Sequence, residues 1–300
     1  MNIKLSAIGL ALFAGVGALA LPAVGHAGNV GYTAPCLGGN VTSAITNAGH
    51  TPVAVGSANA ASLASLDALI VESCFGYAHN ADIDAAVADG MLLIVNDWVP
   101  NGTTAGKLPG SPAITFTYTL GTSIELASGS PIATGIGGTL TNSSLDSPYT
   151  FIPYIPSRDG YTASGLSADM TSLLTTSNST RSVALAYPYG NGFVAYSAIP
   201  MDTFLPNGLL DAAHLCTPGN LCGGMQTYLT NLLDWSIKQL VSCEKEGYKG
   251  AQLTWCKNIC ENGLTGQVLD TWIHRWINRY RDLPYCAVEG QPGEQGPAPE

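Results

Sequence analysis

Lysine and arginine are scarce in this chain: eleven stand against twenty-one Asp and Glu in 300 residues, for a formal net charge of −10. That balance argues against nucleic acid as a partner, because a phosphate polymer demands a basic surface. No apolar run beyond the N-terminal segment approaches the roughly 20 residues needed to cross a bilayer, so no membrane span is expected. No His pair stands at zinc spacing, and neither a metal nor another cofactor is expected. With charged residues at 11%, polar surface must come largely from Ser, Thr, Asn and Gly, a composition common outside the cell.

What is present begins with a three-part N-terminal pattern. Met1 to Ala27 carries one positive charge at Lys4, an apolar run from Ile8 to Ala20, and Gly25-His26-Ala27 before Gly28. This is the layout of a removable signal peptide over residues 1–27, and Gly15, Gly17 and Pro22 break the run too often for an anchor. A secreted or periplasmic location follows, with a bacterial type of export. Cysteines 36, 74, 216, 222, 243, 256, 260 and 286 all lie beyond the signal and form an even set. In an oxidising compartment such a set reads as structural disulfides.

Composition divides the remainder. Between Gly28 and Ser242 the positives are only Lys107, Arg158, Arg181 and Lys238, against thirteen acids; from Cys243 to Ala287 there are six positives against five acids. The shift near Val241 marks a boundary between a body, residues 28–241, and a small cysteine-stapled helical module, residues 242–288. The Gly-Pro-Glu run over 289–300 reads as a disordered tail.

In the body, short apolar strands alternate with helices. Asn29 to Thr33, Thr51 to Val55, Ala68 to Val71 and Met91 to Val95 read as strands; Gly39 to Ala48 and Asn80 to Ala88 read as helices, with Asn80 an N-cap candidate. This pattern predicts an α/β fold with a doubly wound, mainly parallel sheet of the flavodoxin-like kind, covered on both faces. From Asn101 to Ser179 the texture changes to antiparallel hairpin and loop material. Ser182 to Tyr187 and Gly192 to Ile199 form two strands around a Pro188-Tyr189-Gly190-Asn191 turn, and Met225 to Leu240 closes the body as a helix.

Several of these segments together resemble the class I glutamine amidotransferase-like superfamily, and within it the ThuA-like branch, over residues 29–240. The resemblance is carried by Leu66-Asp67-Ala68-Leu69-Ile70-Val71, Gly90-Met91-Leu92-Leu93-Ile94-Val95, Ser130-Pro131-Ile132-Ala133-Thr134-Gly135-Ile136, Tyr189-Gly190-Asn191-Gly192-Phe193-Val194 and Leu233-Asp234-Trp235. It implies a catalytic cysteine in a Gly-x-Cys-x-Gly elbow after the fourth strand and a later His-Pro-Glu. This sequence has Asn96-Asp97-Trp98-Val99 and Ile199-Pro200-Met201-Asp202 at those places. With neither thiolate nor base present, glutaminase chemistry is not expected.

Ligands of open α/β sheets gather beyond the carboxyl ends of the strands. Residues expected at that rim are Cys36, Glu72, Cys74, Tyr77, His79, Asp97, Trp98 and Asp202. Glu72, His79 and Asp97 offer acid and base groups, while Trp98 beside Asp97 suits a sugar platform. Each also has a plain role in loop capping. Cys36 and Cys74 would be neighbours if strands one and three are adjacent, and a bond between them would remove Cys74 as a nucleophile or redox group. Cys216 and Cys222 bracket a Pro218-Gly219 turn and are expected to staple a loop ahead of the last helix.

The C-terminal module shows two short helices, one around Trp255 to Cys260 and one over Val268 to Tyr280. On the second, Leu269, Trp272, Ile273, Trp276, Ile277 and Tyr280 share an apolar face, and His274, Arg275, Asn278, Arg279 and Arg281 face away. Four cysteines allow three pairings; the two helix cysteines reaching to Cys243 and Cys286 is the favoured one. The module is either a folded cap or a recognition unit whose Trp and Arg residues bind a glycan, an anionic polymer or a protein. Two functional readings follow: a non-catalytic extracellular binding or scaffold protein, or a secreted hydrolase, with carbohydrate as the candidate substrate, working through Glu72, His79 and Asp97.

Overall fold

The computed structural model describes residues 28–33, 41–72, 80–97, 105–118, 124–145, 161–176, 181–199, 201, 205, 221–240, 242–262, 264–280, 283–284 and 286. The first half alternates β1 (Asn29–Thr33), α1 (Thr42–Asn47), β2 (Thr51–Val55), α2 (Ala60–Leu63), β3 (Ala68–Glu72), α3 (Ala81–Asp89) and β4 (Leu92–Asn96). β3 and β4 are buried along their whole length, as apolar strands covered on both faces must be. Asn80 caps α3 by accepting from the Ile83 amide at 3.0 Å, as expected from its place before the apolar periodicity.

Three local details differ from the sequence reading. α1 is shorter than Gly39 to Ala48 among the described residues, starting at Thr42 after Val41. The four-residue α2 was not anticipated, since so short a helix shows no period; its signal is the reciprocal capping of Asn59 and Ser62. β3 and β4 each run one residue further into polar sequence, which brings Glu72 and Asn96 into the sheet.

The second half continues with β5 (Thr115–Tyr118), β6 (Ile124–Leu126), the small hairpin β7 (Thr134–Gly135) and β8 (Gly138–Thr139), α4 (Asn142–Leu145), β9 (Tyr161–Ser164), β10 (Thr171–Thr176), β11 (Ser182–Tyr189) and β12 (Gly192–Ser197). The main sheet runs β2-β1-β3-β4-β12-β11-β10-β6. β2, β1, β3, β4 and β12 are mutually parallel, and β11, β10 and β6 extend the sheet antiparallel. β9 joins β11 and carries β5. The stretch from 101 to 179 is thus antiparallel where described, as its alternating texture indicated.

Helix α5 (Leu221–Leu240) lies across one face of the sheet and starts four residues before the expected Met225. Cys222 therefore sits in its first turn and not ahead of it. Its close docking depends on glycine: a Cβ at Gly224 would fall 1.8 Å from the Ser144 carbonyl oxygen of α4. Asn231, buried on the same helix, pins the small hairpin, donating to Ile132 and Gly138 carbonyls at 3.0 Å and accepting from the Gly137 amide at 2.8 Å.

Helices α6 (Gly250–Cys260) and α7 (Gly266–Ile277) follow. They build a separate small core around Trp276, Cys243, Cys256 and Ile259. Two disulfides, Cys243–Cys256 and Cys260–Cys286, realise the favoured pairing. Ile277 corrects the sequence reading: it is 49% exposed, because the stripe packed on the small core is Leu269, Trp272, Ile273, Trp276 and, just past the helix, Tyr280, and Ile277 lies further round. Lys245 ties this unit to the body, donating to the carbonyls of Gln239 at 2.9 Å and Asn191 at 3.2 Å. No helix among the described residues is long and apolar enough to cross a membrane.

Candidate functional site

The carboxyl ends of the three central parallel strands set the geometry of the rim. Glu72 on β3 pairs in register with Asn96 on β4, which pairs with Ser197 on β12. Residues in register on parallel strands point to the same face, so these three form one polar row. The row lies on the α5 side, because Phe193, of the same alternation on β12, packs edge-on against Trp235 of α5 with ring centres 5.4 Å apart. All three are buried, Asn96 and Ser197 completely. Neither polar atom of the Asn96 side chain has a hydrogen-bond partner among the described residues, a burial that costs about 1–3 kcal/mol. The Glu72 amide donates to Thr33 Oγ1 at 3.4 Å, and Ser197 Oγ accepts from the Ile199 amide at 3.2 Å.

Tyr228 of α5 is fully buried beside Ser197 of this row. Burial pushes its phenol well above the ordinary tyrosine value, with the neighbouring Ser197 side chain acting in the opposite direction. The phenol is therefore neutral and available only as a hydrogen-bonding group.

Asp97 follows Asn96 by one residue and belongs to the opposite face. Its amide continues the ladder by donating to the Ser197 carbonyl at 2.9 Å. Its carbonyl accepts from the Tyr196 hydroxyl at 2.9 Å. Tyr196 sits on the face away from α5, against Phe116 of β5 at 4.9 Å between ring centres. Burial first, and the Asp97 charge second, hold the Tyr196 phenol well above its usual range.

Of the residues expected at the rim, the structure thus describes Glu72 and Asp97 and places them on opposite faces of the sheet. Cys36, Cys74, Tyr77, His79, Trp98, Asp202 and Cys216 lie outside the described residues. β1 and β3 are adjacent, as the argument about Cys36 and Cys74 required. Sequence reasoning missed Asn96, Ser197, Tyr196 and Tyr228. Asn96 could have been found as a polar residue closing an all-apolar strand; Ser197 and the tyrosines could not, since their place depends on pairing with β4.

In the C-terminal unit the sulfurs of Cys243, Cys256 and Cys260 lie within 4.8 Å of one another. Oxidised as they are, they offer no thiolate to an ion. Around them the aromatic residues form a connected set. Trp255 meets Trp272 at 6.1 Å and Tyr280 at 5.7 Å, and Trp276 meets Tyr280 at 4.7 Å and Tyr248 at 5.3 Å, all between ring centres. Arg275 lies over the Trp272 ring at 4.9 Å and Arg279 over Trp255 at 5.6 Å.

No protein-family model and no curated protein sequence matches the chain. Among solved structures, a beta-galactosidase from Rahnella sp. R3 is similar at 13% identity and TM-score 0.38, over 64% of this chain and 32% of that one. A beta-galactosidase from Bacillus circulans sp. alkalophilus is similar at 12% and 0.36, over 74% and 31%. Agd3, a carbohydrate deacetylase, is similar at 11% and 0.36, over 71% and 33%. The chain spans about a third of the length of each of these proteins.

Proposed function

We propose that this is a secreted, non-catalytic binding or scaffold protein, built on an amidotransferase-like body of the ThuA-like branch and carrying a cysteine-stapled module for attachment to an extracellular glycan or protein. In this reading residues 1–27 are removed on export, 28–241 form a flavodoxin-like body, and 242–288 form the module. The observation that carries it is the separation of the two rim carboxylates. Hydrolytic acid/base catalysis needs two groups converging on one bond. Glu72 shares the α5 face with Asn96, whereas the alternation of the chain sends Asp97, one residue later, to the Tyr196 side, where its charge acts on the Tyr196 phenol. The β1–β3–β4 order, with polar residues replacing the cysteine elbow after β4, is consistent with a body that keeps the architecture of the superfamily without its nucleophile.

The hydrolase reading retains one favourable observation: the buried carboxylate of Glu72 stands in register with Asn96 and Ser197, an acid beside amide and hydroxyl groups. An assay separates the two. Exported protein is tested on chromogenic glycosides, acetylated sugars and esters beside the Glu72→Gln variant. Equal, background-level turnover is expected from both. Turnover that disappears in Glu72→Gln would replace the binding reading by the hydrolase reading.

A further inference from the structure

Along α7 and the residues just past it, Leu269, Trp272, Ile273, Trp276 and Tyr280 pack on the small core, while Val268, Arg275 and Arg279 run along the flank that Trp272 borders. The charged side of this flank is open, with Val268 55% exposed and both arginines exposed, while Trp272 and Trp255 are partly buried against the small core. Among the described residues neither Arg275 nor Arg279 has a carboxylate partner; each lies over an indole instead. A guanidinium stacked this way keeps its in-plane N–H donors free, in the fork geometry that takes a carboxylate or sulfate in two hydrogen bonds.

The plain explanation for positive charge here is the helix C-terminus, which favours cations in its last turn. It does not account for the arrangement. The two arginines are four residues apart, about 6 Å along the axis, where like charges repel by a few tenths of a kcal/mol. Nor does it explain why both guanidiniums lie over indoles and have no carboxylate partner among the described residues. The unit is cross-linked by Cys243–Cys256 and Cys260–Cys286, so the backbone that presents these side chains needs little ordering on binding.

We propose that this stripe binds an acidic polysaccharide: Arg275 and Arg279 take successive carboxylate or sulfate groups of the polymer, and the exposed edges of Trp272 and Trp255 lie against its sugar rings. Charge complementarity selects this occupant. The body carries four positives against thirteen acids from Gly28 to Ser242 and repels a polyanion, so the anionic chain is directed to the C-terminal unit. A bilayer is a poorer match, because Val268 and Ile277, the exposed apolar residues of α7, lie on opposite flanks and make no apolar face. A nucleic acid is a poorer match because disulfides place the unit in an oxidising compartment. This inference rests on the secreted binding reading and names its partner.

The test uses the full chain, exported with its disulfides formed, in native gels containing polygalacturonate and in tryptophan-fluorescence titrations with the same polymer. Retardation, quenching and an affinity that falls with added salt are expected. The double variant Arg275→Gln, Arg279→Gln should lose about tenfold or more, the scale of one charge-assisted hydrogen bond. Arg275→Lys with Arg279→Lys should restore only part of that, because charge returns without the fork. An unchanged circular dichroism spectrum and unchanged non-reducing mobility show that each variant is folded. Unretarded migration, undiminished binding by the Gln variant, or equally strong binding to oligo-dT, phosphatidylserine vesicles or neutral mannan overturns the proposal. Turnover lost in Glu72→Gln overturns the non-catalytic reading of the body alone, so the two failures are distinguishable.

Discussion

At the scale of single residues, His50 and Asn96 show how buried polar groups set measurable properties. His50 is buried and accepts a hydrogen bond from the Gly28 amide through Nδ1 at 3.2 Å, so its neutral form is the one the fold uses. Burial lowers its pKa, more than the opposing charges of Asp234 and Asp67 raise it. A base with a depressed folded value contributes stability that is complete above its unfolded pKa of about 6.5 and is lost as pH falls through the folded one. We expect the urea midpoint to fall as pH drops below that value. In His50→Asn, whose amide oxygen can replace Nδ1 without titrating, this component of the fall should vanish; an unchanged profile would assign it elsewhere. For Asn96, whose side-chain polar atoms are both buried without a partner among the described residues, Asn96→Val should raise stability by about 1 kcal/mol by removing the desolvation cost and adding strand propensity. The denaturation midpoint reads this directly.

At the scale of elements, docking and cross-links dominate. α5 approaches α4 so closely at Gly224 that a methyl group would overlap the Ser144 carbonyl oxygen. Gly224→Ala should therefore destabilise the body by about 1–3 kcal/mol despite alanine's better helix propensity, with chemical denaturation as the measurement. In the C-terminal unit the disulfides close loops with sequence separations of 13 and 26 residues. Chain-entropy arguments assign about 3 kcal/mol to each. A unit with one buried indole and a few aliphatic contacts has little else to offset its conformational entropy. Replacing both Cys243 and Cys256 by Ala should therefore unfold α6 and α7, with loss of amide protection there, while the body retains its own.

At the scale of the whole molecule, export is the property to measure first. Signal removal after Ala27 would convert the Gly28 nitrogen into an ammonium group beside His50 Nδ1 and Asp67, whose carboxylate already accepts the Asn29 amide at 2.7 Å. N-terminal sequencing of the exported protein should read Gly28-Asn29-Val30. A chain that retains Ala27 should melt at lower temperature, since it carries an uncharged amide where Asp67 would hold an ammonium. An unprocessed N-terminus would remove the secreted reading.

The sequence by itself determined what local composition can encode. The apolar runs ending at Val71 and Val95 had to be buried strands, Asn80 had to cap the helix that follows it, and apolar spacing set the inner face of α7 through Leu269, Trp272, Ile273, Trp276 and Tyr280, erring only in counting the exposed Ile277 with them. An even cysteine set and a change of charge near Val241 separated the stapled unit from the body. Tertiary structure alone decided the rest. β12 enters the sheet beside β4, and this long-range pairing places Ser197 next to Asn96 and Tyr196 next to Asp97. A one-residue step along β4 sends Asn96 and Asp97 to opposite faces, which divides a rim that looked like one cluster. The choice among three cysteine pairings, and the stacking of Arg275 and Arg279 on indoles from two helices, likewise depend on the packing of α6 against α7. Period and composition act within a segment, whereas register and side-chain pairing are set by the contact surfaces of segments far apart in the chain.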